Sequence, residues 1–182
     1  DRRKALIDMF KEFIDLSVDF GGMVNVGRVR GSVGGRNKNE VEDLFLESMK
    51  ELGTYAAEKE VSIIIEPVNR YEIDFINNVA EGAQLLDRIN IPNLKLMPDV
   101  FHMNIEDTSI DGELRRYIDK VGYVHFADSN RLAPGWGHTD FVPILKTLKD
   151  CGYDDWISVE ILPKPDPYSA AGKAATYIIS LM

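Results

Sequence analysis

Cysteine and histidine are both scarce in this sequence: Cys151 is the only thiol, and the histidines are His102, His125 and His138. A lone cysteine rules out an internal disulfide and suits a reducing cytoplasm. Without paired thiolates or a dense histidine cluster, soft-metal centres of the structural zinc type are disfavoured. Long hydrophobic runs are also missing. None approaches the roughly 20 residues of a membrane-spanning helix, and no signal-peptide pattern opens the chain, so no membrane partner is expected. Positive charge is in deficit, with 21 Lys and Arg against 30 Asp and Glu and a net charge of −9. That field repels phosphate backbones and argues against nucleic acid as a partner. Nor is there a nucleotide fingerprint, since GSVGGR at positions 31–36 is a poor match to either phosphate-loop pattern.

What is present is an alternation of two periodicities. At 182 residues, 45% of them hydrophobic, the chain can bury one sizeable core and is short for two domains. Leu6, Met9, Phe10, Phe13, Ile14 and Leu16 recur at helical spacing, with Gly21 and Gly22 as the stop. A strand is expected from Met23 to Val29, then a Gly- and Asn-rich loop ending at Asn39 as a helix N-cap. Val41, Leu44, Phe45, Met49, Leu52 and Ala56 mark the second helix, and VSIIIE after it reads as a strand buried on both faces. Further helices are expected over 79–89, 113–120, 141–151 and 168–182, and strands over 94–97, 123–126 and 156–161. Five strands interleaved with helices mean an α/β fold with a parallel sheet.

Four side chains able to bind a metal, Glu66, Asp99, His125 and Glu160, stand at or near the ends of four different apolar runs. A parallel barrel gathers the C-terminal ends of its strands on one face, where these four would converge. Each has an ordinary alternative: Glu66 a solvated strand end, Asp99 a turn cap, His125 a satisfied core histidine. Glu160 interrupts WISVEIL, where an unpaired buried carboxylate would cost several kcal/mol. Three carboxylates and one imidazole make an oxygen-rich set suited to Mn²⁺, Mg²⁺ or Co²⁺. Arg28, Arg30 and Arg36 around the glycine-rich loop form either a phosphate site or a solvated loop, and PGWGH at 134–138 reads as a lid-like loop.

EPVNRYE at 66–72, DVFHMNIED at 99–107, HFADSNR at 125–131 and SVEI at 158–161 resemble the ketose 3-epimerases, members of the xylose-isomerase-like barrels of sugar phosphate isomerases and epimerases. The resemblance runs in order from about Met23 to the end of the chain. It implies a TIM (β/α)8 barrel of which residues 1–182 are a single domain carrying only the C-terminal part, about strands 4–8. About three further βα units, near 80 residues, would then precede Asp1. It also implies one divalent metal ion, Mn²⁺ first, held by Glu66, Asp99, His125 and Glu160, with Glu66 and Glu160 doubling as the acid/base pair. Glu72, His102 and Arg131 match positions that contact the sugar.

The chemistry that follows is C3 epimerisation of a ketose or ketose phosphate. A weakly acidic proton beside a carbonyl is removed and one is returned to the opposite face, with a cation stabilising the enediolate. Moving the proton between C1 and C2 would instead make the chain an aldose–ketose isomerase. Two other classes are weighed. An apurinic-site endonuclease shares the barrel but uses a histidine-rich zinc cluster, and a degenerate barrel would be a non-catalytic binding module. The expected partner is a small sugar or sugar phosphate, in the cytoplasm, and a homo-oligomer is compatible with the sequence.

Overall fold

A computed structural model describes residues 2–182. Asp1, read from the sequence as already inside a helix, lies outside the described residues. The elements run α1 (Arg2–Ser17), β1 (Met23–Val26), α2 (Lys38–Ala57), β2 (Ser62–Ile65), α3 (Val79–Ile89), β3 (Leu94–Leu96), α4 (Val100–Glu106), α5 (Ile110–Tyr117), β4 (Tyr123–Phe126), α6 (Phe141–Asp150), β5 (Trp156–Val159) and α7 (Pro167–Leu181).

All five strands are parallel and stand side by side in chain order. β1 pairs with β2 from Met23↔Ser62 to Val26↔Ile65, β2 with β3 from Ile63↔Leu94 to Ile65↔Leu96, and β4 with β5 from Tyr123↔Trp156 to Phe126↔Val159. Between β3 and β4 the ladder thins to the bridges Leu96↔Val121 and Asp99↔His125. Pro98 is one cause, because it has no N–H to donate; its carbonyl still accepts from the His125 amide at 2.9 Å. Gly122 permits the close approach there, since a Cβ would lie 2.8 Å from the Lys95 Cβ. The result is an arc of a parallel barrel with the C-terminal strand ends along one rim.

Helices cover the outside of the arc, α1 on α2, α2 on α3, α3 on α5, α5 on α6 and α6 on α7. Ile63, Ile64 and Ile65 are all buried, so β2 is covered on both faces, as its unbroken β-branched run predicts. β5 departs from that pattern: Trp156 is 72% exposed, and Ile157 and Val159 are exposed too. Among the described residues β1 pairs only with β2, and β5 only with β4.

Several expected boundaries move. β1 ends at Val26, and Arg28–Arg30 form a 3-10 turn because the Arg30 guanidinium donates to the carbonyls of Glu66, Phe75 and Ile76 at 2.8–2.9 Å. Those bonds tie Arg30 into the wall instead of leaving it for a phosphate. The second helix is capped by Asn37, whose side chain accepts from the Asn39 amide at 2.9 Å, two residues ahead of the expected cap. The sequence reading passes over α4 altogether, because seven residues are too few to display a helical period.

Asp107, just after α4, accepts from the Val79 amide at 3.3 Å and so supports the start of α3. Its other oxygen, Oδ2, and Glu113 Oε2 are both buried without a hydrogen-bond partner. Burial first, then the neighbouring charges of Glu113, Glu106 and Glu81, push the Asp107 carboxyl from 3.8 up to about 7. The folded chain therefore holds this proton more firmly than the unfolded chain, and stability falls as pH rises from 3.8 to about 7. Asp107→Asn keeps the acceptor and removes the charge. Allowing for solvent screening, it should raise the melting temperature by about 2–4 °C at about pH 8 and much less at about pH 4. Thermal melts at both pH values check this, and equal shifts would place the effect elsewhere.

Candidate metal centre

Each of the four ligand candidates is delivered by a different strand. Glu66 and Glu160 directly follow β2 and β5, His125 lies within β4, and Asp99 follows β3 and caps α4. One ligand atom from each lies within 4.8 Å of all the others. Asp99 divides its carboxylate between two tasks. Its Oδ1 accepts from the Phe101 amide at 2.8 Å, while its Oδ2 is buried with no partner. The turn-cap reading and the ligand reading are thus both satisfied, by different oxygens.

The electrostatics of the cluster match a cation. Burial, assisted by the charge of Glu66, pushes the Asp99 carboxyl up to about 7. Burial also works to raise Glu66, but the imidazoles of His125 and His102 and the Asn25 amide outweigh it and hold that carboxyl below its usual range. Burial works to lower His125, yet the carboxylates of Glu66, Asp99 and Glu160 win and raise it. His125 Nδ1 is 3.8 Å from Glu66 Oε1, too far for a hydrogen bond, and like Asp99 Oδ2 it is a buried polar atom without a partner. Each such orphan costs about 1–3 kcal/mol. A divalent ion among these four side chains would satisfy both, and three oxygens with one imidazole nitrogen are a donor set that Mn²⁺ or Mg²⁺ accepts. The residues present fit the group.

Glu160 corrects one sequence argument. Its place in WISVEIL predicts a buried carboxylate, but its side chain is 48% exposed, because nothing among the described residues covers the far side of β5. Its charge is instead offset by an ion pair with Arg131.

The other expected site residues join the same network. Arg131, held at φ 61°, also reaches Glu72 at 3.4 Å, and its guanidinium lies over the Phe101 ring, 4.8 Å from the centroid. Glu72 additionally pairs with Arg28 at 3.4 Å. His102, one turn into α4, is 3% exposed, with Nε2 at 3.9 Å from Glu66 Oε1 and 4.0 Å from Asp99 Oδ2. Burial lowers its pKa.

Two residues that the sequence reading passed over support this network. Asn69 is 2% exposed and links His102 to Glu72. Asp128 is fully buried and accepts from the amides of Ser129, Gly135 and Thr139 at 2.8–3.0 Å, which gathers the loop between β4 and α6 around one carboxylate. A Cβ at Gly137 would come within 2.2 Å of Asp128 Oδ1, so only glycine fits. The PGWGH segment is therefore pinned, and His138 is an exposed residue bonded to Ser129 Oγ at 3.0 Å. The signal for Asp128 was its place beyond a strand end, ahead of closely spaced glycines.

Known proteins resemble this chain in sequence and in fold. The sequence model of the Xylose isomerase-like TIM barrel matches residues 1–178. An L-ribulose 3-epimerase from Methylomonas sp. (strain DH-1) is 33% identical over 156 residues, covering 84% of this chain and 54% of that protein. A D-psicose 3-epimerase from Enterocloster bolteae is 30% identical over 142 residues, covering 78% of this chain and 47% of that protein. This chain thus spans about half the length of these curated relatives. A crystal structure of a D-allulose 3-epimerase from Methylomonas sp. superposes with a TM-score of 0.87 at 29% identity, covering 97% of this chain and 69% of that one. With the family match running over nearly its whole length and its strand ends converging as a parallel barrel requires, the chain belongs to the xylose isomerase-like TIM barrel family.

Proposed function

We propose that this chain carries the reaction centre of a divalent-metal-dependent sugar epimerase that inverts C3 of a ketose or ketose phosphate. The observation that carries this reading is the convergence of Glu66, Asp99, His125 and Glu160, with ligand atoms within 4.8 Å of one another. Relatives named as 3-epimerases, at 33% and 30% identity, support the choice of carbon. The reading treats residues 1–182 as one domain.

Glu66, Asp99, His125 and Glu160 would hold the cation, Mn²⁺ by preference and Mg²⁺ or Co²⁺ as substitutes. When bound, it supplies positive charge that stabilises negative charge on the sugar's carbonyl and adjacent hydroxyl oxygens. The proton transfers belong to Glu66 and Glu160, which reach the pocket from β2 and β5. One carboxylate takes the proton from C3, and the other returns a proton to the opposite face. Glu66 is buried and held ionised, as a base requires. Glu160 faces it from the open side of the site, with Arg131 alongside to hold its charge. His102 and Arg131 donate hydrogen bonds to sugar oxygens, and Glu72 accepts from hydroxyls. Phe101 beneath the guanidinium helps hold Arg131 beside Glu160.

Metal addition gives one test. At about 100 times its Kd, Mn²⁺ should stabilise the intact protein by about 2.7 kcal/mol, or roughly 5–10 °C in melting temperature, and EDTA should reverse the gain. Asp99→Asn, which keeps the helix cap but loses the charge, should remove most of that shift in differential scanning fluorimetry. An undiminished shift would move the ion away from this cluster.

Isotope exchange gives the second. On a panel of ketoses, Glu66→Gln and Glu160→Gln should each slow exchange of the C3 hydrogen with solvent deuterium by about 10²–10⁴-fold, read by NMR with metal content measured in parallel. Unimpaired exchange in either variant, with metal retained, removes that residue from the acid/base pair. Exchange at C1 or C2 instead of C3 would make the protein an aldose–ketose isomerase.

A further inference from the structure

We propose that Asn69 is a positioning residue that holds the His102 imidazole in its Nε2–H tautomer, so that a neutral N–H donor faces the four-residue cluster. The argument starts with the amide of Asn69, whose orientation is over-determined. Its Oδ1 accepts from the Tyr71 backbone amide at 3.0 Å, and a backbone N–H can only donate. Its Nδ2 lies 3.2 Å from Glu72 Oε1, where an ionised carboxylate can only accept. The nitrogen end therefore also faces His102, with Nδ2 at 2.8 Å from His102 Nδ1. An amide nitrogen has no lone pair to offer, so Nδ1 must accept. The ring proton then resides on Nε2.

The consequence lies on the other side of the ring. Nε2 stands 3.9 Å from Glu66 Oε1 and 4.0 Å from Asp99 Oδ2, and neither oxygen is close enough to take its hydrogen bond. Both residues are almost fully buried, at 2% exposure for Asn69 and 3% for His102. Neither side chain can swing out into solvent to give His102 Nδ1 another partner. The N–H is thus prepared and uncommitted, aimed where a sugar oxygen would sit beside the cluster. That last role rests on the sugar-epimerase reading, whereas the tautomer does not.

Two measurements separate the two. In the intact protein labelled with ¹⁵N-histidine, with the His102 signals identified by their loss in His102→Gln, long-range ¹H–¹⁵N correlation reads the tautomer directly. Nδ1 should show the shift of an unprotonated ring nitrogen and Nε2 that of a protonated one. The reverse pattern overturns the proposal whether or not the protein epimerises any sugar. Asn69→Asp places a pure acceptor against Nδ1 and should drive the proton onto it. Asn69→Leu offers no partner and should give a mixture of tautomers. A folded Asn69→Asp that keeps the Nε2–H form also overturns the proposal. Where the protein epimerises a ketose, Asn69→Asp should lower kcat by about 10²-fold, the size expected for loss of one preorganised donor, with a smaller change in KM. A switched tautomer with unchanged kcat would cancel the positioning role.

Discussion

Carboxylates crowded at one end of a parallel sheet repel one another, and the rest of this site is organised around that repulsion. Glu66, Asp99 and Glu160 each offer an oxygen within 4.8 Å of the other two. Inside a protein such an assembly stands only if protons, cations or donors offset the charge. Here the offset is divided three ways. The Asp99 carboxyl is pushed up to about 7 by burial, His125 is held towards its protonated form by its neighbours, and Arg131 closes on Glu160. A divalent ion would add positive charge at the same place and would give the two buried polar atoms that lack a protein partner, Asp99 Oδ2 and His125 Nδ1, a group to bind.

The fold supplies that crowding at low conformational cost. Each ligand candidate stands in a strand or within three residues of one in a packed arc, so its position is inherited from backbone hydrogen bonds. Even the irregular part of the arc is put to use. The missing amide at Pro98 thins the β3–β4 ladder where Asp99 leaves the strand, and a bridge to His125 restores the pairing beside it. Asp99 then starts α4, which carries His102 back over the cluster one turn later. A single Pro-Asp step thus places a cap, a ligand candidate and the His102 ring.

Around the cluster, long side chains are held by other side chains and by loop backbone. Arg131 is braced by Glu72, Glu160 and the Phe101 ring, and the loop that bears it is gathered by Asp128. Asn69 ties His102 to Glu72 in the same manner. Preorganisation of this kind lets donors meet a charged species without rearranging.

The sequence by itself determined the α/β class, the parallel sheet and the four ligand candidates, because β-branched runs, helical periods and polar residues at strand ends are local patterns. Burial on both faces of β2 was legible in VSIIIE for the same reason. The exposure of Glu160 was not, since WISVEIL looks the same whether or not a further strand covers it. Tertiary structure alone decided that Arg30 is engaged by three wall carbonyls, that α4 begins on Asp99, and that Asn69 and Asp128 are supports. Arg30 reaches carbonyls 36 to 46 residues away in the chain, and Asn69 reaches His102 33 residues away. No periodicity marks such pairs; they exist only once the parallel strands have brought their ends to the same rim.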